Sequence, residues 1–88
     1  MHFVYIVRCA DGTLYTGYAL DPRAREKVHN SGRGARYTSG RRPVVLVYSE
    51  ASKSRGAALS REHQLKQWTR RRKEALIAGR ADGRHRRR

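Results

Sequence analysis

Residues 3–18 read FVYIVRCADGTLYTGY, two apolar runs rich in aromatic and β-branched side chains on either side of a short polar segment. Such side chains favour extended backbone, so residues 3–7 and 13–18 are predicted to be strands. The segment between them, residues 10–12, ends in Gly12, which can adopt the positive φ angle that tight hairpins need. The stretch therefore predicts a β-hairpin.

The length of the hairpin loop decides which side chains share a face of the sheet. A two-residue loop would place Tyr5 and Tyr15 on opposite faces, because side chains alternate along a strand. A three-residue loop, residues 10–12, pairs Tyr15 with Val7 and leaves Tyr5 diagonally beside it on the same face. Gly12 stands where this loop needs a positive φ angle, so the three-residue loop is predicted.

Further along the chain, Asp21 followed by Pro22 is typical of a helix start, and residues 22–29 are predicted to be helical. Residues 30–32 should end this helix, since they include Gly32. The glycine- and arginine-rich stretch 32–43, called the basic loop here, is predicted to be mobile.

An unbroken apolar run, residues 44–48, predicts a strand covered on both faces. Ser52 or Ser54 can cap a helix that continues through Trp68, and Thr69 can cap a final helix whose residues 75–77 point inward. The apolar stripe of the longer helix consists of Ala58, Leu59, Leu65 and Trp68. The order β-β-α-β-α-α predicts a small α+β domain, a three-stranded antiparallel sheet flanked by helices.

Charge is the strongest signal of the composition. The 88 residues carry 21 Lys and Arg against 7 acids, a formal net charge of +14, and 17 of the 21 are arginine. Such a field attracts polyanions, and arginine suits bidentate contact with phosphate, so nucleic acid is the expected partner. Residues 79–88 contain 5 arginines and no large apolar side chain. They are predicted to form a disordered basic tail after a folded domain of residues 1–78.

The apolar and cysteine patterns exclude several classes of protein. No segment approaches the roughly 18 apolar residues of a membrane span, and residues 3–7 are too short for a signal peptide. Cys9 is the single cysteine, which rules out an internal disulfide and a paired-cysteine zinc site. We expect no membrane association and a cytoplasmic location.

A set of polar residues follows the hairpin in a characteristic order. The set consists of Tyr5, Tyr15 with Gly17, Arg25, His29 and Glu62. Their order and spacing over residues 3–77 resemble the GIY-YIG nucleases, most closely the small single-domain bacterial members. The resemblance implies a GIY-YIG-like fold and an endonuclease that hydrolyses phosphodiester bonds with one divalent cation, Mg²⁺ or Mn²⁺.

The resemblance also implies roles for these residues. Tyr5 would activate or orient the attacking water, and Tyr15 would shape the same site. Arg25 would hold the scissile phosphate, and Glu62 would bind the metal ion. His29 stands at the position four residues after the arginine, where the family often has His or Tyr.

The chemistry of these residue types is compatible with those roles. Arg25 and His29 lie one helical turn apart and can converge on one phosphate. Mg²⁺ accepts one or two carboxylates and completes its shell with water and phosphate, so Glu62 alone can suffice. Ionising a phenol with a pKa of about 10 costs roughly 4 kcal/mol at pH 7. The base is therefore either Tyr5, with its pKa lowered by nearby positive charge, or His29, with Tyr5 orienting the water.

Each residue also has a structural alternative. The tyrosines could be ordinary strand aromatics, Arg25 and His29 a solvated helix face, and Glu62 a partner of one of the many arginines. The expected phosphate contacts are the arginines of the basic loop and the run after Thr69: Arg33, Arg36, Arg41, Arg42, Arg70, Arg71, Arg72 and Lys73.

Three functions fit these observations. The first is a metal-dependent nuclease acting on nucleic acid, DNA rather than RNA, with little sequence specificity. The second is a non-catalytic nucleic-acid-binding protein on the same scaffold, which would bind without cleaving. The third is a ribosome- or chromosome-associated basic protein in which Tyr5, Arg25 and Glu62 are replaceable.

Overall fold

Three strands and four helices make up the part of the chain that the computed structural model describes, residues 1–82, with side chains described as far as residue 79. In chain order they are β1 (His2–Arg8), β2 (Leu14–Ala19), α1 (Pro22–Asn30), α2 (Arg36–Ser39), β3 (Val45–Ser52), α3 (Arg55–Lys66) and α4 (Arg70–Asp82). The strands form one antiparallel sheet in the order β2-β1-β3. This is the α+β architecture that the sequence predicts.

The hairpin between β1 and β2 has the predicted three-residue loop. Val7 pairs with Tyr15 and Tyr5 with Gly17, so the two tyrosines lie diagonally on one face. Gly12 has a φ angle of +88°, which a residue with a Cβ rarely adopts. The register prediction is confirmed.

The helix starts also follow the sequence signals. The side chain of Asp21 accepts an amide hydrogen bond from the first turn of α1, and Pro22 occupies the first position of that helix. Ser54, rather than Ser52, caps α3, and its hydroxyl accepts an amide hydrogen bond at 3.1 Å. The Thr69 hydroxyl does the same for α4 at 3.2 Å.

The two faces of the sheet carry different side chains. The α1 face, which is covered by α1, presents Tyr5, Val7, Tyr15 and Gly17. The α3 face, which is covered by α3 and α4, presents Val4, Ile6, Thr16 and Tyr18. On the α3 face, Val4 packs against Ala58 and Leu65 of α3, and Ile6 packs with Tyr48 and with Ile77 of α4.

The basic loop is less irregular than its composition predicts. It contains α2, and Thr38 on that helix is fully buried. The side chain of Asn30 ties the end of the loop to the end of α1, because its amide group exchanges two hydrogen bonds with the backbone of Val44. Hydrogen bonds and burial therefore give a defined conformation to a segment that is rich in glycine and arginine.

Three apolar residues are more exposed than predicted. Val45 is 56% exposed because it pairs with Arg8 at one end of the sheet, so β3 is not covered on both faces there. Leu59 is 38% exposed, since each helical residue turns about 100° from the last and Ala58 already faces the sheet. Ala75 is exposed for the same reason, two residues before the buried Ile77.

Helix α4 continues to Asp82, four residues beyond the predicted domain boundary at Ala78. The remainder of the predicted tail, residues 83–88, lies outside the described residues. None of the helices within residues 1–82 is long and apolar enough to cross a membrane.

Candidate active site

The Tyr5 phenol lies at the centre of the residues that the sequence singled out. The side chain is buried, and its hydroxyl lies 2.8 Å from Nε2 of His29. The ring extends across Gly17, its partner on β2, and a Cβ at residue 17 would overlap the ring and its hydroxyl. The glycine of the Tyr-x-Gly motif is therefore needed for the Tyr5 ring to reach over β2.

Tyr15 closes one side of this site. Its ring packs edge-to-face with the His29 ring, with centroids 5.3 Å apart, and it stacks on Tyr37 of α2 at 5.8 Å. The ammonium group of Lys66 lies 5.9 Å from the centre of the Tyr15 ring. Tyr37 and Lys66 were not singled out by the sequence, although an aromatic residue within a basic loop is a usable signal for nucleic-acid contact.

His29 is buried between the sheet and α2, with both ring nitrogens hydrogen-bonded. Nε2 bonds to Tyr5, and Nδ1 lies 2.8 Å from the hydroxyl of Thr38. Burial lowers the pKa of the imidazole, and the positive charge of Arg25 lowers it further. The ring is therefore neutral at pH 7, so it can accept a proton.

Arg25 and Glu62 act on the Tyr5 phenol through their charges. Burial is the largest cause that raises the pKa of Tyr5 well above its ordinary value, followed by the charge of Tyr15. Arg25 opposes this rise, and Glu62 adds to it. Tyr5 and Tyr15 thus each contact His29, while Arg25 and Glu62 act on Tyr5 by charge without a hydrogen bond to Tyr5 or His29 among the described side chains.

Glu62 has one ionic partner, Lys66, at 3.2 Å one turn later on α3, rather than an arginine. The Glu62 side chain is 17% exposed and that of Lys66 47%, so the pair contributes only about 0.3–0.5 kcal/mol. By contrast, Glu26, Glu50 and Glu74 each bind a backbone amide or an arginine. Of these four glutamates, Glu62 is therefore the one with neither an arginine nor a backbone amide as a partner.

The donor set suits a single, weakly held divalent cation. Within residues 1–82, no group of three or more His, Cys, Asp or Glu side chains is arranged to hold a metal ion. One carboxylate is nevertheless enough for Mg²⁺ when water and a substrate phosphate supply the remaining oxygens. Glu62 fits that arrangement.

A family model described as the GIY-YIG catalytic domain matches residues 1–75. The chain belongs to the GIY-YIG family. It is 57% identical to a UPF0213 protein from Staphylococcus aureus over 76 residues, which cover 86% of this chain and 93% of that protein.

Two solved structures are also similar to this GIY-YIG chain. The solution NMR structure of a UPF0213 protein from Bacillus halodurans is 47% identical, with a TM-score of 0.56, and the match covers 88% of this chain and 82% of that one. A second NMR structure, of a protein from E. faecalis, is 36% identical with a TM-score of 0.62, covering 99% and 93%. Both confirm the three-stranded α+β fold.

Two basic segments of this GIY-YIG domain, the basic loop and residues 70–73 of α4, meet at the hairpin turn although they are far apart in the sequence. Arg41 of the basic loop bonds to Asp11 at 3.1 Å and covers the Tyr37 ring at 4.1 Å. From α4, the Arg70 guanidinium lies against Gly12. The two segments therefore border one end of the sheet, beside Tyr15.

The other residues predicted to contact phosphate differ in whether their side chains already contact other parts of the protein. Arg33, Arg36 and Arg71 are exposed. Arg42 donates hydrogen bonds to two backbone carbonyls, and Arg72 lies 3.9 Å above the Trp68 ring. Burial lowers the pKa of Lys73, and the nearby charge of Lys66 adds to this effect.

Proposed function

We propose that this protein is a divalent-metal-dependent nuclease that hydrolyses phosphodiester bonds in nucleic acid, DNA rather than RNA, with little sequence specificity. The observation that carries the proposal is the buried hydrogen bond between Tyr5 and His29. The charges of Arg25 and Glu62 act on that same phenol, within a chain of the GIY-YIG family.

The Tyr5 phenol transfers the proton of the attacking water. A free phenolate is too costly here, because burial raises the pKa of Tyr5 further above its ordinary value of about 10. Tyr5 instead accepts a proton from water as its own proton passes to Nε2 of His29, 2.8 Å away. The water oxygen forms a bond to phosphorus, and the bond from phosphorus to the leaving sugar oxygen breaks. The leaving oxygen takes a proton from solvent, and His29 returns its extra proton to solvent.

The two charged residues that act on the phenol, Arg25 and Glu62, also have roles toward the substrate phosphate. Arg25 projects from α1 one turn before His29 and contacts the phosphate oxygens with a fixed positive charge. Glu62 would hold the divalent cation. When bound, that ion supplies positive charge to the phosphate and to the leaving oxygen.

The basic residues around the hairpin turn bind the sugar–phosphate backbone. Arginine and lysine contacts to phosphate fix position without reading bases, which accounts for the low sequence specificity in this proposal. The chain carries 21 Lys and Arg, so binding should weaken steeply with salt.

The test is a cleavage assay on purified protein. Labelled single-stranded, duplex and branched DNA, with matching RNA, are incubated with Mg²⁺, with Mn²⁺ or with a chelator. Cleavage of DNA that requires the metal ion supports the proposal. Binding without cleavage on every substrate would replace it with the non-catalytic binding function.

Glu62→Gln sharpens this assay, because it keeps the shape of the side chain and removes its charge. We expect the variant to fold, to bind DNA at least as well as the parent, and to lose cleavage at every Mg²⁺ concentration. Lys66→Met is the matched control for the ion pair, since it breaks the same contact and leaves the carboxylate. Equal loss of thermal stability in both variants, with cleavage retained in Glu62→Gln, would contradict the metal-ligand role.

A further inference from the structure

Thr38 occupies a position that its sequence context does not single out. It lies in the four-residue helix α2 of the basic loop, yet its side chain is fully buried behind His29. Its hydroxyl has two neighbours, Nδ1 of His29 at 2.8 Å and the carbonyl oxygen of Ala35 at 2.9 Å. The arrangement joins Ala35, Thr38, His29 and Tyr5 in one hydrogen-bonded chain.

The direction of each hydrogen bond follows from which atoms carry a proton. A hydroxyl has one proton, and a carbonyl oxygen can only accept, so Thr38 donates to Ala35. The same hydroxyl must then accept from His29, which places the proton of the neutral imidazole on Nδ1. Nε2 is left as a bare acceptor.

The other end of the chain is compatible with this assignment. The Tyr5 hydroxyl is buried and carries one proton, and His29 Nε2 is its hydrogen-bond partner among the described residues. With the imidazole proton on Nδ1, Tyr5 can donate its proton to Nε2. One tautomer thus satisfies both ends of the chain, and the Thr38 end is the one that selects it.

We infer that Thr38 is a positioning residue that fixes His29 in the Nδ1–H tautomer, so that Nε2 stands ready to take the proton of Tyr5. This inference rests on the proposed nuclease function for its catalytic consequence. The tautomer itself does not depend on that function. A His29 ring protonated on Nε2 would donate to the Tyr5 oxygen and could not accept its proton.

The groups that face the His29 ring come from four elements. Tyr5 lies on β1, Tyr15 on β2, Arg25 on α1 itself and Thr38 on α2. Thr38 is the residue that hydrogen-bonds Nδ1 among the described side chains, and Gly34, which also packs against Nδ1, has no side chain. The Thr38 hydroxyl can therefore be removed without altering a charge near the ring.

The experiment compares Thr38→Val, which keeps the shape and removes the hydroxyl, with Thr38→Ser, which keeps the hydroxyl. The nitrogen chemical shifts of His29, measured by NMR on the free protein, report which nitrogen carries the proton. We expect the Nδ1–H form in the parent and in Thr38→Ser, and a population of the Nε2–H form in Thr38→Val. For cleavage, we expect Thr38→Val to lower kcat by about 10- to 100-fold with DNA affinity unchanged, and Thr38→Ser to restore the rate.

The parent spectrum alone can overturn the inference, even if Thr38→Val fails to fold, because an Nε2–H tautomer in the parent contradicts it. A Thr38→Val protein that keeps the Nδ1–H tautomer also contradicts it. A parent with the Nδ1–H tautomer but no cleavage of any substrate would defeat the proposed function, whereas the role of Thr38 in fixing the ring would stand.

Discussion

The α1 face and the α3 face of the sheet both bury apolar side chains, but the α1 face also buries the polar ring of His29 beside Tyr5. On the α1 face, the buried hydroxyl of Tyr5 and the ring of His29 are hydrogen-bonded, and the chain of bonds continues to Thr38. On the α3 face, Val4 and Ile6 pack against apolar residues of α3 and α4. The α1 face therefore holds buried polar groups in place in addition to its apolar cluster, whereas the buried contacts of Val4 and Ile6 on the α3 face are hydrophobic.

This difference predicts that substitutions on the two faces have separable consequences. Loss of one polar group on the α1 face should slow cleavage strongly and lower the free energy of unfolding only slightly. Truncation on the α3 face should lower stability and leave the chemistry of the folded molecules unchanged.

The largest effect is expected from Tyr5→Phe, with Tyr18→Phe as its counterpart on the other face. In the proposed mechanism Tyr5→Phe removes the group that takes the proton of the attacking water, so cleavage should fall by about 10²- to 10⁴-fold. The loss of its bond to His29 should cost only about 1–2 kcal/mol of stability. Tyr18→Phe also removes one hydroxyl, bonded to His2 at 2.8 Å, and should cleave at the parent rate. Single-turnover rates and urea unfolding check both, and equal rates for Tyr5→Phe and the parent would contradict its role.

Leu65→Ala should give the largest loss of stability, because Leu65 is fully buried against Val4 on the α3 face. The expected cost is about 2–5 kcal/mol in the free energy of unfolding. Cleavage per folded molecule should match the parent at a temperature where both are folded. Leu59→Ala is the control on the same helix, since Leu59 is 38% exposed, and it should cost far less. A similar loss in both variants would contradict the assigned helix orientation.

Thr16→Val tests a buried polar side chain on the α3 face. Thr16 is buried there, and its hydroxyl has no hydrogen-bond partner among the described residues. Valine has nearly the same shape and no polar group to desolvate, so we expect stabilisation by about 1 kcal/mol in urea unfolding. Thr38→Val, the same change on the α1 face, should destabilise because Thr38 is hydrogen-bonded. Destabilisation by Thr16→Val would show that its hydroxyl has a partner in solution.

The smallest expected effect is the pH dependence of the stability contributed by His29, on the α1 face. Burial, followed by the charge of Arg25, lowers the pKa of His29 in the folded state below its ordinary value of 6.5. As the pH falls, His29 therefore takes up a proton in the unfolded chain before it does so in the folded protein. The stability that His29 contributes is fully present above about pH 6.5. It is lost as the pH falls from there through the folded pKa. His29→Gln does not titrate, so its unfolding free energy should vary less with pH between about 5 and 7. An equal slope in the parent and the variant would contradict the lowered pKa.

Much of the fold was predictable from local signals. Gly12 and the three-residue loop set the hairpin register, because a tight turn is satisfied by residues adjacent in sequence. Helix caps are local in the same way: Asp21 marks the start of α1, and for α3 the sequence narrowed the cap to Ser52 or Ser54. The exposure of Leu59 and Ala75 was not predictable, since it depends on how α3 and α4 turn against the sheet.

The sequence by itself determined the hairpin register, and hence that Tyr5 and Tyr15 share a face, along with the order of the five site residues and the strong positive charge. It did not determine the partner of Glu62 or the role of Thr38. Thr38 lies nine residues from His29, at the far side of a glycine- and arginine-rich loop, and only the folded backbone brings its hydroxyl to Nδ1. A hydrogen bond depends on distance and direction to within a few tenths of an ångström, which residue types and spacing do not specify. Tertiary structure therefore decided which tautomer the site holds.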